Sequence, residues 1–244
     1  MMTAMLPDHQ AKNNDQGVTR SQSGNVFFII LIGIVMFAAL MFTFSRSARQ
    51  GTESLGSREA ELAASDIISY GQRVERGVQR ILSKGISESD ISFANDIVTG
   101  YDNLSCSTEG CLVFSPSGGG VAWANPPDNV NAGEPYFFGT NRVGSFDGTT
   151  KQIGTTERDL VIILPVKPEV CTVINNVANK FTTWESGGSP NVTTKFQGNY
   201  TTGAGTMIAR GNETEQPSTG CFCEGTDPCA ASDPHYFYKV LVQR

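Results

Sequence analysis

The feature that most constrains this chain is an uncharged run of nineteen residues, Val26 to Phe44, reading VFFIILIGIVMFAALMFTF. At 1.5 Å rise per residue a helix of that length reaches about 28 Å, close to the hydrocarbon thickness of a bilayer. The sequence therefore predicts one membrane-spanning helix over 25–44. The next longest apolar stretch, Leu160 to Val166, is only of strand length. A secretory signal would have a shorter apolar core with small residues after it. Here the small residues come first: Ser23-Gly24 abuts the run, with Arg20 just upstream. Arg46 and Arg49 beyond the run oppose an outward exit by charge, whereas six cysteines, all downstream of it, favour an oxidising compartment. The expected orientation is N-terminus in the cytoplasm and C-terminus outside.

The segment Arg20-Ser21-Gln22-Ser23-Gly24, followed by Asn25-Val26-Phe27-Phe28-Ile29-Ile30-Leu31-Ile32, resembles the class III signal of type IV pilins and type II secretion pseudopilins. The resemblance implies a cytoplasmic leader over 1–24, cut by a prepilin peptidase between Gly24 and Asn25. It also implies a single-pass inner-membrane protein whose head lies in the periplasm or at the cell surface. The implied partners are other pilin or pseudopilin subunits, the peptidase, an inner-membrane assembly platform and membrane lipid. Two positions depart from the family pattern. Asn25 stands where the first mature residue is usually phenylalanine, and Ile29 where the fifth is usually glutamate. In the family that carboxylate pairs with the terminal amine of a neighbouring subunit, offsetting the cost of a charge in low dielectric. Ile29 cannot make the pair, which suits a minor or tip subunit. The alternative is a single-pass, signal-anchored protein with an extracytoplasmic disulfide-bonded binding domain.

Beyond the apolar run, 45–84 contains no proline and carries Leu55, Leu62, Ile67, Val74, Val78 and Ile81 at helical spacing. An amphipathic stalk is expected, with a bend or melted turn around Gly51 and Gly56. Arg58, Glu59, Glu61, Asp66, Arg73, Glu75, Arg76 and Arg80 occupy its other faces, acids mostly ahead of arginines. From Gly85 onward Gly, Thr, Ser and Asn increase, marking a head over 85–244. Strands are expected at Cys111 to Phe114, Tyr136 to Phe138, Leu160 to Val166, Thr206 to Arg210 and His235 to Val242. One helix is expected from Pro168, with Val170, Val173, Ile174 and Val177 as its stripe. Ser115 to Asn131 and Trp184 to Thr202 read as solvent-facing loops. The fold class is thus α+β. A long N-terminal helix, half transmembrane and half amphipathic, packs on a small antiparallel β-rich head in a pilin-like lollipop.

Cys106, Cys111, Cys171, Cys221, Cys223 and Cys229 all fall in the head, and an even number there predicts three disulfides. Cys106 with Cys111 and Cys223 with Cys229 would close small loops, leaving Cys171 with Cys221. Fifteen connectivities exist in all, and Cys221 and Cys223 can exchange roles. A zinc site from Cys221, Cys223, Cys229 and His235 lacks the usual CxxC knuckles. Glu224, Asp227 and Asp233 lack EF-hand spacing for calcium. No metal or cofactor is expected. Four N-x-S/T sequons occur, at Asn103, Asn191, Asn199 and Asn212. Gly118-Gly119-Gly120 lacks the context of a phosphate loop, while Trp123, Trp184 and the YFYKV segment read as core. With 18 basic against 24 acidic residues, net charge −6 and no basic block, nucleic acid is not an expected partner. The only histidines, His9 and His235, cannot supply a histidine-based triad or multi-histidine metal site. The expected role is structural rather than enzymatic.

Overall fold

The computed structural model describes residues 23–144, 153, 158–179, 186–200, 207–208, 217–225 and 229–244. It divides into two units, 1–53 and 54–244. Helix α1 runs Ser23–Ser83 and stays helical through Gly51 and Gly56, where a bend or melt was expected. Among the described residues no helix is long and apolar enough to cross a membrane. This finding overturns the transmembrane half expected at 25–44, the lollipop built on it and the single-pass inner-membrane, N-in placement. Of the leader expected over 1–24, residues 1–22 lie outside the described residues.

The second unit is α+β. Its strands are β1 (Phe137–Val143), β2 (Asp159–Val166), β3 (Ser186–Gly187), β4 (Met207–Ile208), β5 (Thr219–Glu224) and β6 (His235–Val242); helix α2 spans Pro168–Asn179. The sheet order is β3-β5-β6-β2-β1-β4. Strands β5, β6, β2 and β1 form an antiparallel centre, with two-residue strands adding parallel at either edge. Central β2 is a continuous apolar run because both its faces are covered. Leu160, Ile162, Leu164 and Val166 point to one side, Val161 and Ile163 to the other, the two-residue period of a strand.

The first side packs on α1. The buried stripe of that helix is Ala60, Ala63, Ala64, Ile67, Tyr70, Val74, Val78 and Ile81; apart from the adjacent Ala63 and Ala64 the steps are three and four, which keeps one face inward. Leu62, expected on the stripe, is 69% exposed, because it lies two positions from both Ala60 and Ala64 and so on the opposite face. Leu55 lies outside the described side chains. Small residues let the sheet approach closely. A Cβ on Gly71 would press on Phe237 and Lys239 of β6, and one on Gly77 would collide with Val121.

Between α1 and β1 the chain wraps over the same core. Phe93 stacks on Phe138 with ring centroids 4.3 Å apart, and Tyr101, Phe114 and Trp123 meet Phe138 edge-on. Phe138 N–H donates to the Tyr101 hydroxyl at 3.0 Å. The segment from Ser115 to Asn131 was expected in solvent, yet it buries Val121 and Val130. Lys84 anchors it to the end of α1 by donating to the carbonyls of Ser117 and Gly118 at 2.6 and 2.9 Å. Instead of a strand over Cys111 to Phe114 there is a short 3-10 turn, Glu109–Cys111, and one bridge from Leu112 to Ser92. A disulfide loop with three glycines behind it, rather than a run of alternating residues, shapes that stretch.

Candidate functional site

The six cysteines form three disulfides, Cys106–Cys111, Cys171–Cys221 and Cys223–Cys229, with Cα separations of 5.6, 5.4 and 6.3 Å. The middle one links α2 to β5 across 50 residues. Asn175, one turn beyond Cys171, reinforces it: its side chain accepts from the Cys221 N–H at 2.8 Å and donates to the Cys221 carbonyl at 2.9 Å. An asparagine amide thus offers the strand both halves of a peptide pairing. With their sulfurs joined, Cys221, Cys223 and Cys229 have no thiolate to give a zinc ion. Of the calcium candidates, Asp227 lies outside the described residues. Asp233 accepts from Ala230 N–H at 2.8 Å, and Glu224 accepts from Ser189 and from the Tyr236 hydroxyl. Among the described residues no group of three His, Cys, Asp or Glu is placed to hold a metal.

Gly24 and Asn25 sit in the first turn of α1, and their surroundings fall outside the described side chains. Immediately after them, Phe27, Phe28, Ile29, Ile30, Leu31 and Ile32 are 44–71% exposed, and Ile34 to Phe37 continue the pattern. An apolar run this extended and uncovered is far beyond the scattered exposed leucines of an ordinary surface and marks an interaction surface.

Sequence reading missed the buried polar contacts of the second unit. Lys239, on β6, is 5% exposed; its ammonium lies 2.9 Å from Glu75 of α1 and donates to Thr219 at 3.0 Å. The pair clamps helix to sheet. Asp159, at the start of β2, is fully buried and accepts backbone N–H bonds from Val143 at 3.3 Å and Arg244 at 3.1 Å. Burial outweighs those bonds and pushes its carboxyl up to about 7. The Arg244 guanidinium turns away to Glu88 at 2.8 Å and lies over the Tyr200 ring. Burial likewise raises the Tyr70 and Tyr101 hydroxyls to about 12 and lowers His235. These groups hold elements together, since each faces protein backbone or a packed ring. Of the sequons, Asn103 and Asn191 are buried: the Asn103 amide donates to the carbonyls of Ser89 and Ile91, and the Asn191 side-chain oxygen accepts from the N–H groups of Thr193 and Thr194; Asn199 is exposed, and Asn212 is outside the described residues.

No protein-family model, curated protein or solved structure matches this chain.

Proposed function

We propose that this chain is a non-enzymatic, pilin-like or pseudopilin-like structural subunit of a type IV pilus or type II secretion-type filament. The observation that carries the reading is the exposed apolar run from Phe27 to Phe37 at the head of a helix that continues into a stripe packed on an antiparallel sheet. An isolated molecule would leave that run in water, at roughly 25 cal/mol for each Å² of apolar surface. Packing it against the same helix of other subunits removes the penalty and makes assembly the stable state. The disulfides and the helix-to-sheet clamp suit a head that must stay folded in an oxidising space. A prepilin peptidase acting between Gly24 and Asn25 and an assembly platform are the further partners of this reading.

The experiment is expression of the full chain in a host carrying a prepilin peptidase and a filament-assembly system. The N-terminal peptide is then read by mass spectrometry, and sheared surface material is imaged. A mature chain beginning at Asn25, present in filaments, is the expected result. An unprocessed Met1 or Met2 terminus with no filaments would overturn the proposal.

A further inference from the structure

The chain contains two Asp-Pro bonds, Asp227–Pro228 and Asp233–Pro234, and only the second is followed by a histidine. An Asp-Pro link is well suited to attack from within. The aspartate side chain reaches its own main-chain carbonyl carbon by closing a five-membered ring, so nucleophile and target are joined in advance. Proline supplies the other half, since its nitrogen carries no N–H and departs as a secondary amine.

The fold holds each part of Asp233-Pro234-His235. His235 opens β6, is 2% exposed, and places Nδ1 2.6 Å from the main-chain carbonyl oxygen of Asp233. A carbonyl only accepts, so Nδ1 carries the proton and aims it at the oxygen on which charge develops during attack. Burial lowers the histidine, so at pH 7 this donor is a neutral N–H. The Asp233 carboxylate is drawn back over its own turn by the Ala230 N–H, which donates to Oδ2 at 2.8 Å. Gly225 leaves it room, because a Cβ there would collide with Oδ2. On the far side of the bond the Pro234 carbonyl accepts from the Glu224 N–H at 2.8 Å, which fixes the leaving group against β5. Pro234 itself is exposed, so water reaches the bond.

We infer that the folded chain cleaves its own Asp233–Pro234 bond, with Asp233 as nucleophile and His235 as the catalytic donor to the oxyanion. Oδ1 forms a bond to the Asp233 carbonyl carbon, and the carbonyl π pair moves onto the oxygen held by His235. Its return breaks the bond to the Pro234 nitrogen, which keeps the bonding pair and takes a proton from solvent. A cyclic anhydride is left on Asp233, and one water opens it to two carboxyl groups. The sum is hydrolysis of one peptide bond, with nothing oxidised or reduced. This is a single turnover of the chain on itself and does not rest on the filament reading. The severed segment, 234–244, contains no cysteine and so no disulfide to the rest. It stays in the sheet, because β6 pairs with β2 and β5, and Lys239 and Arg244 hold Glu75 and Glu88.

The test is incubation of the purified, disulfide-intact full chain at pH 7 and 37 °C for several days, read by denaturing, non-reducing mass spectrometry. The 234–244 peptide should appear at least tenfold faster in the native chain than in 8 M urea, with Asp227–Pro228 left intact. Asp233→Ala should abolish it, and His235→Phe should slow it about a hundredfold, as loss of one oxyanion donor does. Pro234→Ala should slow it at least tenfold, and because that residue is exposed this variant remains decisive if His235→Phe fails to fold. Hydroxylamine in the buffer should trap the anhydride as a hydroxamate on Asp233. Absence of the peptide from the native chain, equal rates in native and unfolded protein, or cleavage that persists in Asp233→Ala would each overturn the inference.

Discussion

Replacing Asp159 with asparagine should change how stability depends on pH more than stability at any one pH. The carboxyl is fully buried, and its pKa rises from the ordinary 3.8 to about 7 because desolvation outweighs the N–H bonds from Val143 and Arg244. The folded state therefore holds a proton on this group between about pH 4 and 7 that the unfolded state has released. Stability drawn from Asp159 is complete below about pH 4, declines as pH rises, and is lost above about 7. At about 1.4 kcal/mol per pH unit, that interval corresponds to a loss of about 4 kcal/mol as an upper figure. His235, lowered by burial, contributes in the opposite sense, gaining stability as pH rises toward its unfolded value near 6.5. Asp159→Asn loses one acceptor, so its stability shifts by a constant amount, while the Asp159 contribution to the slope disappears. Urea unfolding at pH 4.5, 6 and 8 in both proteins isolates the term as a difference. Wild type minus variant should fall by several kcal/mol across that range. A difference that is flat, or that rises with pH, would refute the argument that burial dominates this site.

Gly77→Ala sets helix propensity against space. Alanine gains about 1 kcal/mol in a helix, but its Cβ would collide with Val121, and overpacking of this kind costs about 1–3 kcal/mol. The thermal midpoint should fall, whereas Gly56→Ala, with nothing within 4 Å, should raise it. Replacing both Cys171 and Cys221 with alanine should cost about 4 kcal/mol on loop entropy, against about 2 kcal/mol for Cys106 with Cys111. Their sequence separations are 50 and 5, and denaturant midpoints under non-reducing conditions would show the order. Glu75→Gln should destabilise by about 2 kcal/mol, because it leaves the buried Lys239 ammonium without its carboxylate; Glu61→Gln, on the open face, should move urea stability by less than about 0.5 kcal/mol.

Local pattern was enough to recognise several elements. Strand β2 was expected at Leu160 to Val166 and begins one residue earlier. Strand β6 spans His235–Val242, as its aromatic and β-branched residues suggest, and α2 starts at Pro168, whose fixed φ suits a first turn. The even cysteine count and the two short intervals pointed to the observed pairing without choosing it among fifteen. Strand β5, TGCFCE, was missed because a six-residue segment with a glycine and two cysteines has no periodic apolar signal of its own. Its strand character comes from β6 beside it and Asn175 beneath it.

Local composition by itself determined that the head would be a disulfide-bonded, strand-rich α+β unit. That information is local, carried by residue spacing, proline placement and cysteine number. Only the tertiary structure decided which face of α1 is inward. A stripe of alanines and glycines gives little hydrophobic signal, yet allows the sheet to approach, so Leu62 was left outside and Ala64 placed within the core. It likewise decided that Asp159 and Lys239 are buried and what they bind, since Val143, Arg244, Glu75 and Thr219 are distant in sequence. Burial energies depend on which surfaces meet, and partners brought together over separations of 16, 20 or 85 residues leave no trace in the spacing of either one.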